Sequence, residues 1–217
     1  MARRVVGIIR VVTLTDQEIM NRHGKLLESL FPDFTTVTEC IPNQPNGIHN
    51  EETETTAIPK IIALGKKMAK RVQALIISCA ADPAVEDLRK VLSIPVIGAG
   101  SAAVGVGIAL GSRIGVLNLN EETPRVISSL LGKMLIGATS PEGVNTTIDL
   151  MTPVGKTAAV KAANRLGQIG ADAIVMACTG YATISLAPVL RKESKIPIVD
   201  PIEASGLVAH EVLRYRA

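Results

Sequence analysis

The chain has 217 residues, a formal net charge of +3, and 47% hydrophobic against 20% charged side chains. These figures fit a globular protein that buries a real core in one domain or two small ones. Aromatics are only 2% and Trp is absent, so the core must be built from Val, Ile, Leu and Ala, and base-stacking nucleic-acid modules are disfavoured. Three cysteines, Cys40, Cys79 and Cys178, form no C-x-x-C pair; this rules out a complete disulfide framework and argues against a zinc site of standard spacing.

In chain order, Met1 to Leu14 is basic and then apolar, but Arg10 interrupts the apolar stretch and no cleavage pattern follows, so a strand is expected rather than a signal peptide. Strands are predicted at Val5–Ile9, Val37–Cys40, Ala74–Ser78, Pro95–Ile97, Ile114–Leu117, Ala173–Ala177 and Pro197–Val199. Helices are predicted at Gln17–Leu30, Glu54–Val72, Ala84–Leu92, Ser101–Leu110, Thr123–Leu135, Lys156–Gly170, Ser185–Glu193 and Ala204–Arg214. Strands alternating with helices imply right-handed β-α-β units and parallel sheets, an α/β fold. The stretch from Ser93 to Ser112 carries no charge and is long enough to span a bilayer. Pro95, Gly98 and Gly100 break it, however, and a buried strand followed by a closely packed helix is expected.

The chain repeats itself. Ala74–Cys79 aligns with Ala173–Cys178, and each is followed by a small-residue turn, a helix and then Ile94–Ile97 or Ile196–Val199. The segments Gly7–Ile9 and Gly115–Leu117 match as well, as do Gly24–Lys25 and Gly132–Lys133. Two small α/β halves related by a pseudo-twofold are expected, residues 1–98 with 206–217 and residues 99–205, with the active site in the cleft between them.

Cys79 and Cys178 each fall at the carboxyl end of a buried strand, before a turn into a helix. Ligands bind outside such strand ends in parallel sheets, and a thiol there faces the positive end of a helix, which favours thiolate. The small turn residues leave backbone N–H groups free for an oxyanion. Under a pseudo-twofold the thiols would approach one substrate from opposite faces. That arrangement suits stereoinversion at a carbon acid, one thiolate removing a proton while the other thiol returns one, with no metal or organic cofactor required.

Ser78–Pro83 and Ala177–Ala182 resemble the two cysteine motifs of the aspartate/glutamate racemase superfamily. Asp82–Pro83 and the following Ile94–Gly98 most resemble its hydantoin racemase branch, and the likeness covers nearly the whole chain. It implies that Cys79 and Cys178 are the paired acid and base, and that backbone around Ala80, Thr179 and Gly180 binds substrate carbonyl groups. It also implies that Asn118 and the Gly47–Ile48 loop contact substrate, that the enzyme needs no cofactor, and that it is a cytoplasmic homo-oligomer acting on a small molecule, with no nucleic-acid or membrane partner. The chain departs from the pattern at the end of the first strand, where relatives carry Asn-Pro-Asn or Asp-Ser-Gly and this chain has Arg10, Val11 and Val12. Arg10 there suggests a charge-assisted pair with a substrate carboxylate. An amino-acid racemase is thus the alternative to a hydantoin racemase; a decarboxylase of the superfamily would keep only the second cysteine.

A nucleotide-binding module with structural cysteines remains a third reading, because Gly98–Ala103 matches G-x-G-x-x-A between a strand and a helix. Among other residues, His49 reads as solvated, His23 and His210 as surface or packing, Asp200 as a helix cap, Tyr181 as a gate, and Cys40 as structural.

Overall fold

The computed structural model describes residues 4–215. Two four-stranded parallel sheets are present. The first comprises β1 (Arg4–Arg10), β2 (Phe34–Cys40), β3 (Ala74–Ser78) and β4 (Val96–Gly98), in the order β2-β1-β3-β4. The second comprises β5 (Ile114–Leu117), β6 (Leu135–Thr139), β7 (Ala173–Met176) and β8 (Ile198–Val199), in the order β6-β5-β7-β8. The same order in both sheets bears out the repeat, and the α/β class is as expected. Gly7 and Gly115 occupy the central strands β1 and β5, and the cysteines follow β3 and β7.

Among the described residues, nine α-helices flank the strands: α1 (Gln17–Leu30), α2 (Glu51–Met68), α3 (Val85–Val91), α4 (Ala99–Leu110), α5 (Arg125–Leu131), α6 (Pro153–Gln168), α7 (Gly180–Thr183), α8 (Leu186–Glu193) and α9 (Pro201–Arg214). One apolar cluster joins the inner faces of both sheets, from Val6, Ile8 and Ile76 through Val104 and Ile202 to Val116 and Val175. Helices α1, α4, α5 and α9 supply its middle layer. The outer faces carry separate clusters, with Ile61 and Leu88 against the first sheet and Ala162 and Leu190 against the second. The strand residues fill the core because β-branched side chains on a central parallel strand are covered on both faces.

One expected helix needs correction, and two short elements were not expected. The helix expected over Thr123–Leu135 stops at Leu131, because Gly132 takes φ +50° and the chain turns into a strand at Leu135. That strand, β6, lies at the sheet edge and is half exposed, and its apolar Leu135 and Ile136 continue the helical pattern that precedes them. The four-residue helix α7 is too short to leave a periodic signal. The uncharged stretch 93–112 contains strand β4 and the 12-residue α4, and no helix among the described residues is long and apolar enough to cross a membrane.

The glycine-rich turn before α4 is filled by the protein itself. Asp82 accepts hydrogen bonds from the N–H groups of Gly100 (2.7 Å) and Ser101 (2.8 Å). A side chain at Gly98 would collide with the Asp82 carboxylate, and one at Gly100 with the Ala80 carbonyl. The glycines admit this carboxylate and the Cys79 turn, which leaves no room for a phosphate at the helix start and replaces the nucleotide reading. Asp82→Ala leaves both N–H groups without their cap, and urea denaturation should find the protein about 1–2 kcal/mol less stable.

Candidate active site

A cleft of about 360 Å³ opens at the carboxyl ends of the central strands of both sheets. Its floor includes Arg10 at the end of β1, Ser78 and Cys79 at the end of β3, and Ala177 to Thr179 after β7. Its rim comes from the loop Gly47–Glu51 and the start of α2 on one side, and from Leu119–Arg125 on the other. Cys79 and Cys178 thus line one cleft, each 8% exposed and neither in a disulfide.

The local sequence explains how each thiol is held. Cys79 leaves the strand into a turn of small residues in which Asp82 and Ala84 take left-handed φ values of 54° and 59°. The Ala81 N–H faces the Cys79 sulfur. In the matching turn the Gly180 N–H donates to Cys178 Sγ at 3.3 Å. The two thiols therefore receive the same backbone contact from the second residue beyond them.

Electrostatics overturn the expectation that helix ends make both thiols acidic. Burial dominates: it pushes Cys178 up to about 11 and Cys79 further still. The backbone N–H groups oppose this without cancelling it, because removing a thiolate from water costs more than one hydrogen bond returns. The pair is unequal. Cys178 is favoured as thiolate by Arg10, whereas Cys79 is disfavoured by Asp82 and Glu54 in addition to the neighbouring thiol.

Within the floor, Arg10 is 2% exposed. Its Nη1 donates to the carbonyls of Ile19 (3.2 Å) and Met20 (3.1 Å), and its Nη2 donates to Thr183 Oγ1 (3.0 Å). His23, read as surface or packing, is completely buried and bridges Thr183 Oγ1 (2.8 Å) and Ser78 Oγ (2.9 Å). Burial, and then the Arg10 charge, hold its pKa well below the usual range, so His23 is neutral at physiological pH. Thr179 Oγ1 donates to the Ser78 carbonyl (3.0 Å). These contacts connect the residue before one thiol to the residues after the other.

Of the other expected substrate contacts, Gly47, Ile48, Ala80 and Thr179 line the cleft, whereas Asn118 and Gly180 do not. Asn118 stands behind the wall, where its Nδ2 donates to Thr123 Oγ1 (2.8 Å) and its Oδ1 is buried without a partner among the described residues. Gly180 gives its N–H to Cys178 instead. Tyr181 is no gate: it is fully buried, and its hydroxyl donates to the Asn118 carbonyl at 2.5 Å. His49 lines the cleft with a buried Nδ1 that has no partner among the described residues, and is not the solvated loop residue expected. Its carbonyl accepts from Asn120 Nδ2 (2.7 Å), which closes one part of the rim. Glu54 was missed by sequence reasoning although it sits one turn into α2, on the side that meets the cleft. Asp200 is the expected cap, accepting from Ile202 N and Glu203 N.

The family model for Asp/Glu/hydantoin racemases matches residues 15–205. The chain belongs to the Asp/Glu/hydantoin racemase family. Membership places it among the isomerases. A hydantoin racemase of Rhizobium meliloti is 28% identical over 178 residues, covering 78% of this chain and 72% of that protein. Among solved structures, the allantoin racemase from Klebsiella pneumoniae superposes with a TM-score of 0.85 at 19% identity, covering 98% of this chain and 88% of the other. A glutamate racemase from Bacillus anthracis gives 0.74 at 14% identity, covering 99% and 83%. The fold is therefore shared across this racemase family.

The buried cap at Asp200 has a pH signature. Burial, and then Glu203, raise its pKa from 3.8 to about 7, so the folded state keeps a proton that the unfolded chain has released. Stability therefore falls as pH rises from about 4 to 7,. Asp200→Asn should flatten that part of the profile, as read by denaturant midpoints across this range.

Proposed function

We propose that this family member racemises 5-substituted hydantoins without a bound cofactor, by proton transfer between Cys79 and Cys178. One observation carries it: two buried thiols at equivalent strand ends line the same cleft. In the proposed step a thiolate takes the C5 proton, so that an S–H bond forms as the C–H bond breaks and the electron pair moves into the adjacent carbonyl as an enolate. The opposite thiol then protonates the other face of C5 and is left as the thiolate. Gly47, Ile48 and the backbone at Ala80 and Thr179 are assigned to the substrate, with Arg10, Asn118 and Gly180 supporting them. In this reading residues 1–98 with 206–217 carry one thiol and residues 99–205 the other.

The charges around the cleft favour a hydantoin over aspartate or glutamate. Glu51, Glu54 and Glu122 line it against Arg10 and Arg125, and Arg10 already spends three N–H bonds on protein groups. A dicarboxylate would enter against that field, whereas a hydantoin is neutral and brings N–H donors for acceptors such as His49 Nδ1. The C5 proton of a hydantoin is also more acidic than that of a free amino acid. Burial-raised thiols are strong bases once ionised, which suits a weak carbon acid. Exposed Ile108 and Leu110 on α4, and Leu207 and Val208 on α9, support the homo-oligomer, and a cytoplasmic setting suits the free thiols.

The test is proton NMR of one enantiomer of 5-benzylhydantoin in heavy water, together with optical rotation. Wild type should lose rotation while deuterium enters C5, and Cys79→Ser and Cys178→Ser should each lower racemisation by about 10²–10⁴-fold. Exchange on aspartate or glutamate instead would transfer the proposal to the amino-acid class, and exchange on none of them would refute it. Because burial raises both thiols, to about 11 for Cys178, kcat/KM should climb with pH between about 7 and 9. A flat profile over that interval would argue against a thiolate base.

A further inference from the structure

Arg10 is a buried cation without an anion. It is 2% exposed at the end of β1, its three hydrogen bonds go to two carbonyls and a hydroxyl, and it takes part in none of the ion pairs among the described residues. Both Nη1 hydrogens are used, while the Nε–H and one Nη2–H have no acceptor among the described residues. An unpaired charge in such a place is unfavourable unless something supplies the counter-charge. The groups it faces that can become negative are the thiols of Cys40 and Cys178. Cys40 is outside the cleft and Cys178 within it. Thr183, which anchors the guanidinium, lies in α7 directly beyond the Cys178 turn.

We infer that Arg10 is the fixed counter-charge that directs ionisation within the cleft to Cys178, so that Cys178 is the thiol that becomes the base and Cys79 the one that stays the acid. The inference presupposes the two-thiol chemistry above and adds an asymmetry that the repeat does not contain. Arg10 is a positioning residue here, acting on the sulfur rather than on substrate. The surroundings of the two thiols agree. Cys178 meets Arg10 from β1, Asp200 from the end of β8, and the neutral Tyr181 from α7. Cys79 meets the carboxylates of Asp82 and Glu54. Asp200, raised by burial to about 7, opposes the Cys178 thiolate only as pH passes that value. After one turnover Cys178 holds the proton taken from the substrate and Cys79 is the thiolate. The proton must then pass from Cys178 to Cys79, directly or through solvent, to restore the reactive state.

The test is peptide-resolved alkylation of the native protein by iodoacetamide across pH, which reads each cysteine separately and requires no substrate. In wild type, Cys178 should react with a lower apparent pKa than Cys79; the reverse order overturns the inference. In Arg10→Gln, Cys178 should slow by about ten-fold, one unit of pKa from a lost opposite charge. Cys40 should slow with it, while Cys79 does not. Arg10→Lys should restore the Cys178 rate. An unchanged Cys178 rate, or equal slowing of Cys79, overturns the inference. Acceleration of all three cysteines in the Gln variant would report a loosened fold, and the wild-type order and the Lys variant then decide. If the alkylation pattern holds while no hydantoin is racemised, the substrate reading fails and the Arg10 assignment stands.

Discussion

The hydrogen bond from Thr179 Oγ1 to the Ser78 carbonyl joins the residue after one cleft thiol to the residue before the other. It sits in a buried set of polar contacts that also includes His23, Thr183 and Arg10. Such groups are tolerated in an apolar interior because nearly every one of them has a partner. Together they set the separation of the two strand ends, and the apolar cluster shared by both sheets holds the arrangement in place. A repeat alone would not bring the cysteines to one space; it requires a common core and a polar floor.

The same burial that fixes the thiols makes them reluctant acids. Backbone N–H groups at Ala81 and Gly180 partly offset the loss of water, and the remaining charges separate the pair. The two halves supply matching strands and turns, but the ionisable neighbours are not repeated: Arg10 corresponds to Asn118, and Asp200 to Gly98. Arg10 ends β1, Glu54 belongs to α2, and Asp200 caps α9. A fold can thus be symmetric at the level of backbone while its proton chemistry is directional.

Strands Ala74–Ser78 and Ile114–Leu117 were legible to the residue, because central strands covered on both faces demand an unbroken apolar run. The half-exposed edge strand β6 imposes no such demand, and only its first residue fell within an expected element, the end of a helix. The cleft cysteines were legible because a rare residue recurred in the same context. His23 was not: on an amphipathic helix a polar residue ordinarily faces water, and here it shares the buried face with Gly24 and Leu27. Only its position one turn before Leu27 hinted at this. The glycine-rich turn misled for a related reason. Sequence records that backbone is approached closely, but not whether the approaching group is a ligand or the carboxylate of Asp82.

The contacts across the cleft are stratified by depth. On the floor they are buried and multiple. At the rim, Arg125 and Glu51 stand 3.7 Å apart with side chains 91% and 83% exposed, a geometry in which water competes on nearly equal terms. Asn120 and His49 add one more bond there. The two halves are therefore tied firmly below the thiols and only lightly at the rim. Displacing the rim contacts costs little, so access to the cleft and the placement of the sulfurs rest on different interactions.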